Sequence, residues 1–300
     1  GSISFERPEM KVIVDAAGKP VDVVQKISKD ANWLIEEFML LANKEVATCV
    51  TKGLRLKEPT FVYRIHDQPD FDKVKALKDF VKHFGYQMGS VETGRDVARE
   101  LNGLLDKAKG KPECGAIEIM ALRTMARAKY STDNVGHYGL GFDYYTHFTS
   151  PIRRYPDMMV HRLLTHYLDK GKNEDKNRWE ELCKHSSNRE HLATEAERSS
   201  IKYKLAEFMQ DKVGQEFEGT VSGITEWGMY VEIEPTKVEG MVMLREIKED
   251  FFIYDEKNFC LVGKATRKKF TLGDKVRIKV YKTNLEQKLI DYTLVWDPEW

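Results

Sequence analysis

Arg153 and Arg154 stand side by side between Pro151 and Pro156 in the stretch Tyr138–Leu164, YGLGFDYYTHFTSPIRRYPDMMVHRLL. Each proline fixes its own φ and restricts the residue before it, so the arginine pair is held on a stiff loop. Tyr144, Tyr145, His147 and Phe148 precede the pair. Two forked guanidiniums beside aromatic rings suit phosphate oxygens and stacked bases. An ordinary surface loop ahead of a helix has the same composition, and the residues of the loop leave both readings open.

Composition bounds what such a loop can serve. A chain of 300 residues, 41% hydrophobic and 32% charged, fits about two soluble globular domains. Lys plus Arg and Asp plus Glu number 48 each, so the net charge is zero. That argues against a uniformly basic coat but allows a local basic channel. Cys49, Cys114, Cys183 and Cys260 lie far apart with no C-x-x-C spacing. They read as buried free thiols of a reducing compartment, the cytoplasm, rather than a disulfide frame or zinc site. No apolar run approaches the roughly 18 residues of a membrane span, and no signal-peptide pattern is visible. The chain opens on Gly1-Ser2 without an initiator Met, as a tagged chain or a piece of a longer one does.

Several elements must position the loop. Ile3–Phe5, Val12–Val14 and Val21–Ile27 alternate as strands, with a turn at Ala17–Pro20. Asn32–Thr51 has a helical stripe of Leu34, Ile35, Phe38, Leu41, Ala42 and Val46. Glu36 and Glu37 within it have the character of solvated side chains. Thr60–Arg64 reads as a strand, His66–Asp70 as a turn, and Phe71–Phe84, Val97–Lys109 and Glu113–Ala128 as helices. Pro156 suits the first position of a helix running through Leu168, with Met158, Met159, Leu163 and Leu164 as core. A helix over about Arg178–Asp211 is long for a globular chain. After Val213-Gly214 the pattern becomes five short strands with glycine punctuation, which fits a small OB-type barrel. There Phe217, Trp227 and Tyr230 offer an aromatic face, and Arg267–Lys269 with the Lys275–Lys282 strand offer positive charge, a single-strand binding platform. The same aromatics could instead be barrel core.

The string HFTSPIRRYPD followed by MMVHRLL resembles the signature of the ribonuclease II/ribonuclease R family, the RNB exoribonucleases. LIEEFMLLAN (Leu34–Asn43), FVYRIHDQPD and the EAER of the long helix resemble the ribonuclease R branch in the right order. The resemblance covers essentially the whole chain. It implies an α+β architecture: residues 1–212 as the C-terminal part of an RNB catalytic domain, mostly helical with short strands, and 213–300 as an OB-fold RNA-binding domain of the ribosomal S-one type. It further implies processive 3′→5′ hydrolysis of single-stranded RNA to nucleoside 5′-monophosphates with Mg²⁺, with RNA-decay or ribosome-associated factors as further partners. On the family pattern Arg153 contacts the scissile phosphate, and Arg154 is the fallback, as a backbone-phosphate or structural contact. Glu36 and Glu197 map onto two glutamates that hold the 3′-terminal nucleotide. Asp157 is expected to turn an arginine or cap the helix. His137, Tyr145 and His147 are expected along the channel, and Trp227, Tyr230 and Arg267 on the barrel. Met243 departs from the family pattern at a histidine-like position.

The family's aspartate cluster, D-x5-D-x-D-D, has no counterpart in this sequence. The nearest string, Asp67–Asp72, lacks the final pair and reads as a turn and helix cap. The resemblance therefore puts the Mg²⁺ ligands upstream of Gly1, and the chain alone is expected to be inactive. The alternative reading is an RNA-binding or regulatory fragment without catalysis; a third, with the barrel serving a protein partner, has little support.

Overall fold

The computed structural model describes residues 3, 9–54, 56–111, 113–256 and 259–296. An antiparallel hairpin comes first, β1 (Glu9–Val14) and β2 (Pro20–Lys26). Asp15 closes its turn by accepting from the N–H groups of Ala17 and Lys19. The strand expected at Ile3–Phe5 falls mostly outside the described residues.

Helix α1 (Asp30–Thr48) continues into one wide turn at Cys49–Gly53. Most of its apolar stripe is not core, and of the six residues only Val46 packs on the core that Ala47 enters. Leu34, Ile35, Phe38 and Leu41 are each between 51% and 61% exposed, whereas Asn43 and Ala47 are buried. Helical periodicity shows that an apolar face exists but not what covers it. The three-residue strand β3 (Tyr63–Ile65) is shorter than the expected Thr60–Arg64 and pairs with β4 (Lys129–Ser131). Three residues are too few for alternation to show in a sequence.

Helices α2 (Phe71–Lys82), α3 (Gly94–Ala108) and α4 (Cys114–Thr124) enclose one core, with Leu77, Phe80, Leu101 and Ile117 at its centre. Asp70 caps α2, accepting from Asp72 and Lys73 N–H at 3.0 and 3.3 Å, so the Asp67–Asp72 string is a turn and cap as expected. Helix α5 (Tyr155–Leu168) puts Met159, Val160 and Leu163 into a second core with Phe61, Val62 and Tyr130. Met158 faces out at 37% exposure, a departure from its expected place in the core. Pro156 is the second helical residue rather than the first, a position where its missing N–H still costs nothing.

Helix α6 (Lys176–Gln210) has 35 residues, about 50 Å of rise. Cys183 at one end is in the second core, and Ala206 and Met209 at the other are in a third. That third core is the inside of a closed barrel. Its strands are β5 (Glu216–Thr225), β6 (Gly228–Ile233), β7 (Val238–Met243), β11 (Lys275–Asn284) and β12 (Leu289–Leu294), in the order β11-β12-β7-β6-β5. On β11 Val276, Ile278 and Val280 point in, and Lys275, Arg277 and Lys279 point out, the period-two pattern of a half-buried strand. Between β7 and β11 lies a separate sheet absent from the sequence-based expectation: β8 (Phe252–Asp255), β9 (Cys260–Gly263) and β10 (Lys269–Thr271). Beside it, Phe259 meets Phe80 of α2 edge-on with ring centroids 5.2 Å apart. The β1–β2 hairpin joins the barrel core through Val23, Met10 and Val12.

None of the four cysteines is in a disulfide, but Cys49 is exposed and Cys114 half-buried; only Cys183 and Cys260 are buried as expected. Among the described residues no helix is long and apolar enough to cross a membrane. The exposure of α1 gives a direct test. Phe38→Glu should change the unfolding free energy by less than about 0.5 kcal/mol, the range for exposed sites. A loss of about 3 kcal/mol in urea titration would mean that this face is covered in solution.

Candidate functional site

The arginine loop is a tight turn fastened from below. Both Arg153 and Arg154 N–H groups point back to the Ser150 carbonyl, at 3.3 and 3.0 Å. Asp157, in the first turn of α5, is fully buried and accepts from Ser150 N–H at 2.7 Å and from the Arg154 guanidinium at 2.8 Å. Arg154 is thus a structural cation. Arg153 is exposed, and among the described residues its guanidinium makes only a long 3.4 Å contact to Ser150 Oγ. Ile152, at the tip of the turn, is also exposed.

A layer of aromatic and imidazole rings supports the turn. His66, His137, Tyr145, His147 and Tyr130 follow one another with centroids 5.1 to 5.8 Å apart. Gly139 N–H donates to His66 Nδ1 at 2.9 Å, so the ring proton is on Nε2, which donates to the Ala126 carbonyl at 2.8 Å. A Cβ at Gly139 would lie 2.8 Å from that Nδ1, which is why the YGLG string needs glycine there. Burial, then the nearby His66, lowers the His137 pKa to about 4. Burial, then the Arg154 charge, lowers the His147 pKa to about 2. Both rings are neutral at pH 7. His147 Nδ1 and the Tyr130 hydroxyl are 2.8 Å apart. Asn43 ties α1 to the loop: its amide donates to the Tyr145 hydroxyl at 3.2 Å and its carbonyl accepts from Phe148 N–H at 2.9 Å.

Within this layer Tyr145 is 5% exposed and the half-buried His147 shares its Nδ1 with the Tyr130 hydroxyl, so both are packed beneath the loop. Their polar atoms bond inward because a buried hydroxyl or imidazole needs a partner. Arg64 stacks over the Tyr130 ring at 4.6 Å and pairs with Glu190 of α6 at 2.6 Å. Through that pair the second core holds α6 against the loop.

A cavity of about 600 Å³ lies between the turn and α6, and Arg153, Arg154, Tyr155, His185, Arg189 and Glu190 are in its wall. Glu197 is exposed seven residues beyond Glu190, on the same helix face and about 10 Å further along. It lines a different groove, of about 510 Å³, against the β1–β2 hairpin. Glu36 is exposed on α1. The two glutamates therefore lie outside the cavity that holds Arg153. Sequence reasoning missed Arg64, Arg189 and Glu190. The heptad spacing from Glu190 to Glu197 is the one signal that could have found the last.

On the barrel, Trp227 is 70% exposed at the β5–β6 turn, and Arg267 is exposed on the loop before β10. Tyr230 is half-buried across Gly223, where the β5–β6 register shifts. Phe217 packs on the barrel core instead of facing solvent. The outward cations of β11 are mostly partnered: Arg277 with Glu216 at 3.0 Å, Lys282 with Asp291 at 3.7 Å, and Lys275 with Glu234 at 4.0 Å. Among the described residues no group of three or more His, Cys, Asp or Glu side chains could hold a metal ion. The donor set present does not fit a magnesium site.

Two family matches account for this layout. Residues 1–170 match the RNB domain and residues 210–293 the S1 RNA binding domain. The chain belongs to the RNB family. Ribonuclease R 1 of Lactococcus lactis subsp. lactis (strain IL1403) is 40% identical over 299 residues, covering 97% of this chain and 36% of that protein. The apo form of Mycoplasma genitalium RNase R superposes with a TM-score of 0.88 at 27% identity, over 98% of this chain and 46% of that one. The same protein in complex with ribose methylated single-stranded RNA gives a TM-score of 0.87, again at 27% identity over 98% and 46%. This chain thus spans less than half the length of each of these relatives.

Two tests address the support of the loop. Asp157→Ala leaves the Arg154 charge buried without its partner and should cost about 3–5 kcal/mol in chemical denaturation. Acid sensitivity follows from the histidines. Their folded pKa values lie below the unfolded 6.5, so the unfolded chain binds more protons between about pH 6.5 and 4, and stability should fall as pH falls through that window. Each ring contributes up to about 1.4 kcal/mol per pH unit. Paired urea melts at pH 7 and 5 should show a shallower pH slope for a His137→Gln, His147→Gln double variant.

Proposed function

We propose that this chain is part of a processive 3′→5′ exoribonuclease that hydrolyses single-stranded RNA to nucleoside 5′-monophosphates. The observation that carries the reading is an exposed Arg153 on a turn locked by buried Asp157, in an RNB-family chain that also has an S1-type barrel. In this reading Arg153 donates to the oxygens of the scissile phosphate. Water adds at phosphorus and the P–O3′ bond breaks. A 3′-hydroxyl remains on the shortened RNA and the phosphate leaves on the released nucleoside. A prepositioned cation is strongest where charge builds on those oxygens.

Arg154 serves the loop and not the substrate. Glu197 and Glu36 accept from the hydroxyls of the terminal ribose, Glu197 from its place along the α6 face that also carries Glu190. Tyr145 and His147 act by holding the loop. Trp227, Tyr230 and Arg267 grip RNA upstream of the cut by stacking and charge. Magnesium, in this reading, would need carboxylates other than those of the described residues, and there it would supply Lewis-acid chemistry. The wide cysteine spacing, with no C-x-x-C pair, suits residence in the cytoplasm. RNA-decay or ribosome-associated factors are further partners in this reading.

The 300-residue chain, incubated with 5′-labelled oligo-A and Mg²⁺, should leave the RNA intact. Progressive shortening would overturn the assignment of the metal ligands to a preceding segment. In a longer protein that carries the D-x5-D-x-D-D segment, Arg153→Ala should lower turnover about a hundred- to a thousandfold with little change in RNA affinity. If affinity collapsed while bound complexes turned over normally, Arg153 would be a grip residue. Salt-dependent RNA binding with no cleavage by the longer protein would favour a regulatory role without catalysis.

A further inference from the structure

Glu36 and Glu197 are on different helices but share one arrangement. Glu36 is seven residues before Asn43 on α1, and Glu197 is seven residues after Glu190 on α6. Seven residues return an α-helix to the same face and advance it by about 10 Å. Each glutamate is therefore on the same helix face as a residue tied to the ring layer. Asn43 reaches that layer at the Tyr145 hydroxyl, 3.2 Å away. Glu190 reaches it through Arg64, whose guanidinium lies over Tyr130 at 4.6 Å. Tyr145 and Tyr130 flank His147, with centroids 5.8 and 5.6 Å from its ring. One ring layer thus references both helices.

Asn43 also holds the segment that feeds the arginine turn. Its carbonyl accepts from Phe148 N–H at 2.9 Å, and the Phe148 carbonyl accepts from His161 Nε2 of α5 at 2.9 Å. The Phe148 and His161 rings stack with centroids 4.1 Å apart and planes 10° from parallel. Two residues on, Ser150 N–H donates to Asp157. Residues 148–150 are thereby pinned by α1 and by α5, and they end three residues before Arg153. Asn43 is 4% exposed, with both ends of its amide engaged inside the protein. Packing alone would accept an apolar residue there. Two directed polar bonds do more, because they fix the register of α1 against the loop.

We infer that Asn43 is a positioning residue, which sets Glu36 relative to Arg153 and so sets the fit of the terminal nucleotide. The inference rests on the proposed exoribonuclease reading, in which Arg153 meets the scissile phosphate and Glu36 the hydroxyls of the terminal ribose. Asn43 touches neither group of the substrate. It fixes the helix that carries one contact and the segment that leads to the other, so both contacts form in one bound state. The Arg64–Glu190 pair gives Glu197 a separate brace.

Fluorescence anisotropy of the 300-residue chain in EDTA-containing buffer tests this with two oligo-A probes, one ending in adenosine and one in 2′,3′-dideoxyadenosine. The unaltered chain should prefer the ribose end at least about tenfold, the contribution of hydrogen bonds to a carboxylate. Asn43→Ala should lower that preference as far as Glu36→Gln does, and the two together should lower it no further. Its effect should multiply with that of Glu197→Gln, which is braced separately. Tyr145→Phe removes only the far end of the link and keeps the ring. It should lower the preference in the same direction, and it carries the test if Asn43→Ala does not fold. A purely structural role would weaken both probes alike and leave their ratio unchanged. That result in Asn43→Ala or Tyr145→Phe would overturn the inference, as would multiplying effects of Asn43→Ala and Glu36→Gln. Equal binding of both probes by the unaltered chain would sink the ribose role of Glu36 and the inference with it. Binding of neither probe would sink the RNA reading as a whole.

Discussion

A carboxylate with no exposure to water must find its donors within the protein. At Asp157 that requirement shapes the whole candidate site. Its donors are the Ser150 N–H and the Arg154 guanidinium, so the chain has to fold back between them into a turn. The turn consumes one arginine and presents the other. Arg153 is free to act on a ligand because Arg154 is not. Adjacent residues of the same type thus take opposite roles, decided by which one the buried acid can reach. The rings below serve the same end: Asn43, Tyr145, His147 and Tyr130 satisfy one another's polar atoms and leave the loop little freedom to shift.

The second organising element is α6. One end is buried in the core below the arginine turn and the other in the barrel. Its exposed middle carries Glu190 into the arginine cavity and Glu197 into the groove of the hairpin. A rigid helix shared by two cores fixes the separation of these carboxylates more firmly than a loop could. Lys19 with Asp211, and Lys204 with the Gly18 carbonyl, fasten the hairpin across the same helix. The exposed carboxylates and the arginine turn are therefore positioned by packing at both ends of one helix.

The barrel shows why zero net charge is compatible with contact to a polyanion. Cations on β11 face acids on neighbouring strands, and exposed pairs of this kind are worth little to stability. What remains for a ligand is local: Trp227 in solvent at one turn and Arg267 on a loop. Stacking and a few unpaired cations can grip a single strand without a uniformly basic surface.

Much of this was legible in the sequence where a short segment decides its own state. Asp70 caps a helix and Pro156 opens one because those preferences are local. The period-two pattern of β11 marks a half-buried strand, and the SPIRRYPD string marks the family. Tertiary structure decided the rest. Tyr145 and His147 look like surface aromatics beside a loop, yet they lie under it, because burial depends on which elements pack above. Most of the α1 stripe looks like core and is exposed, since periodicity does not name a partner. The three-residue β3 and β4 pair across more than sixty residues of chain, and the local β8–β10 meander is built from strands of only three or four residues, too short for alternation to show. Asp157's choice of Arg154 over Arg153 is a matter of a few ångströms in a folded turn. A sequence records that two arginines are adjacent; only the packed chain determines which one the buried acid takes.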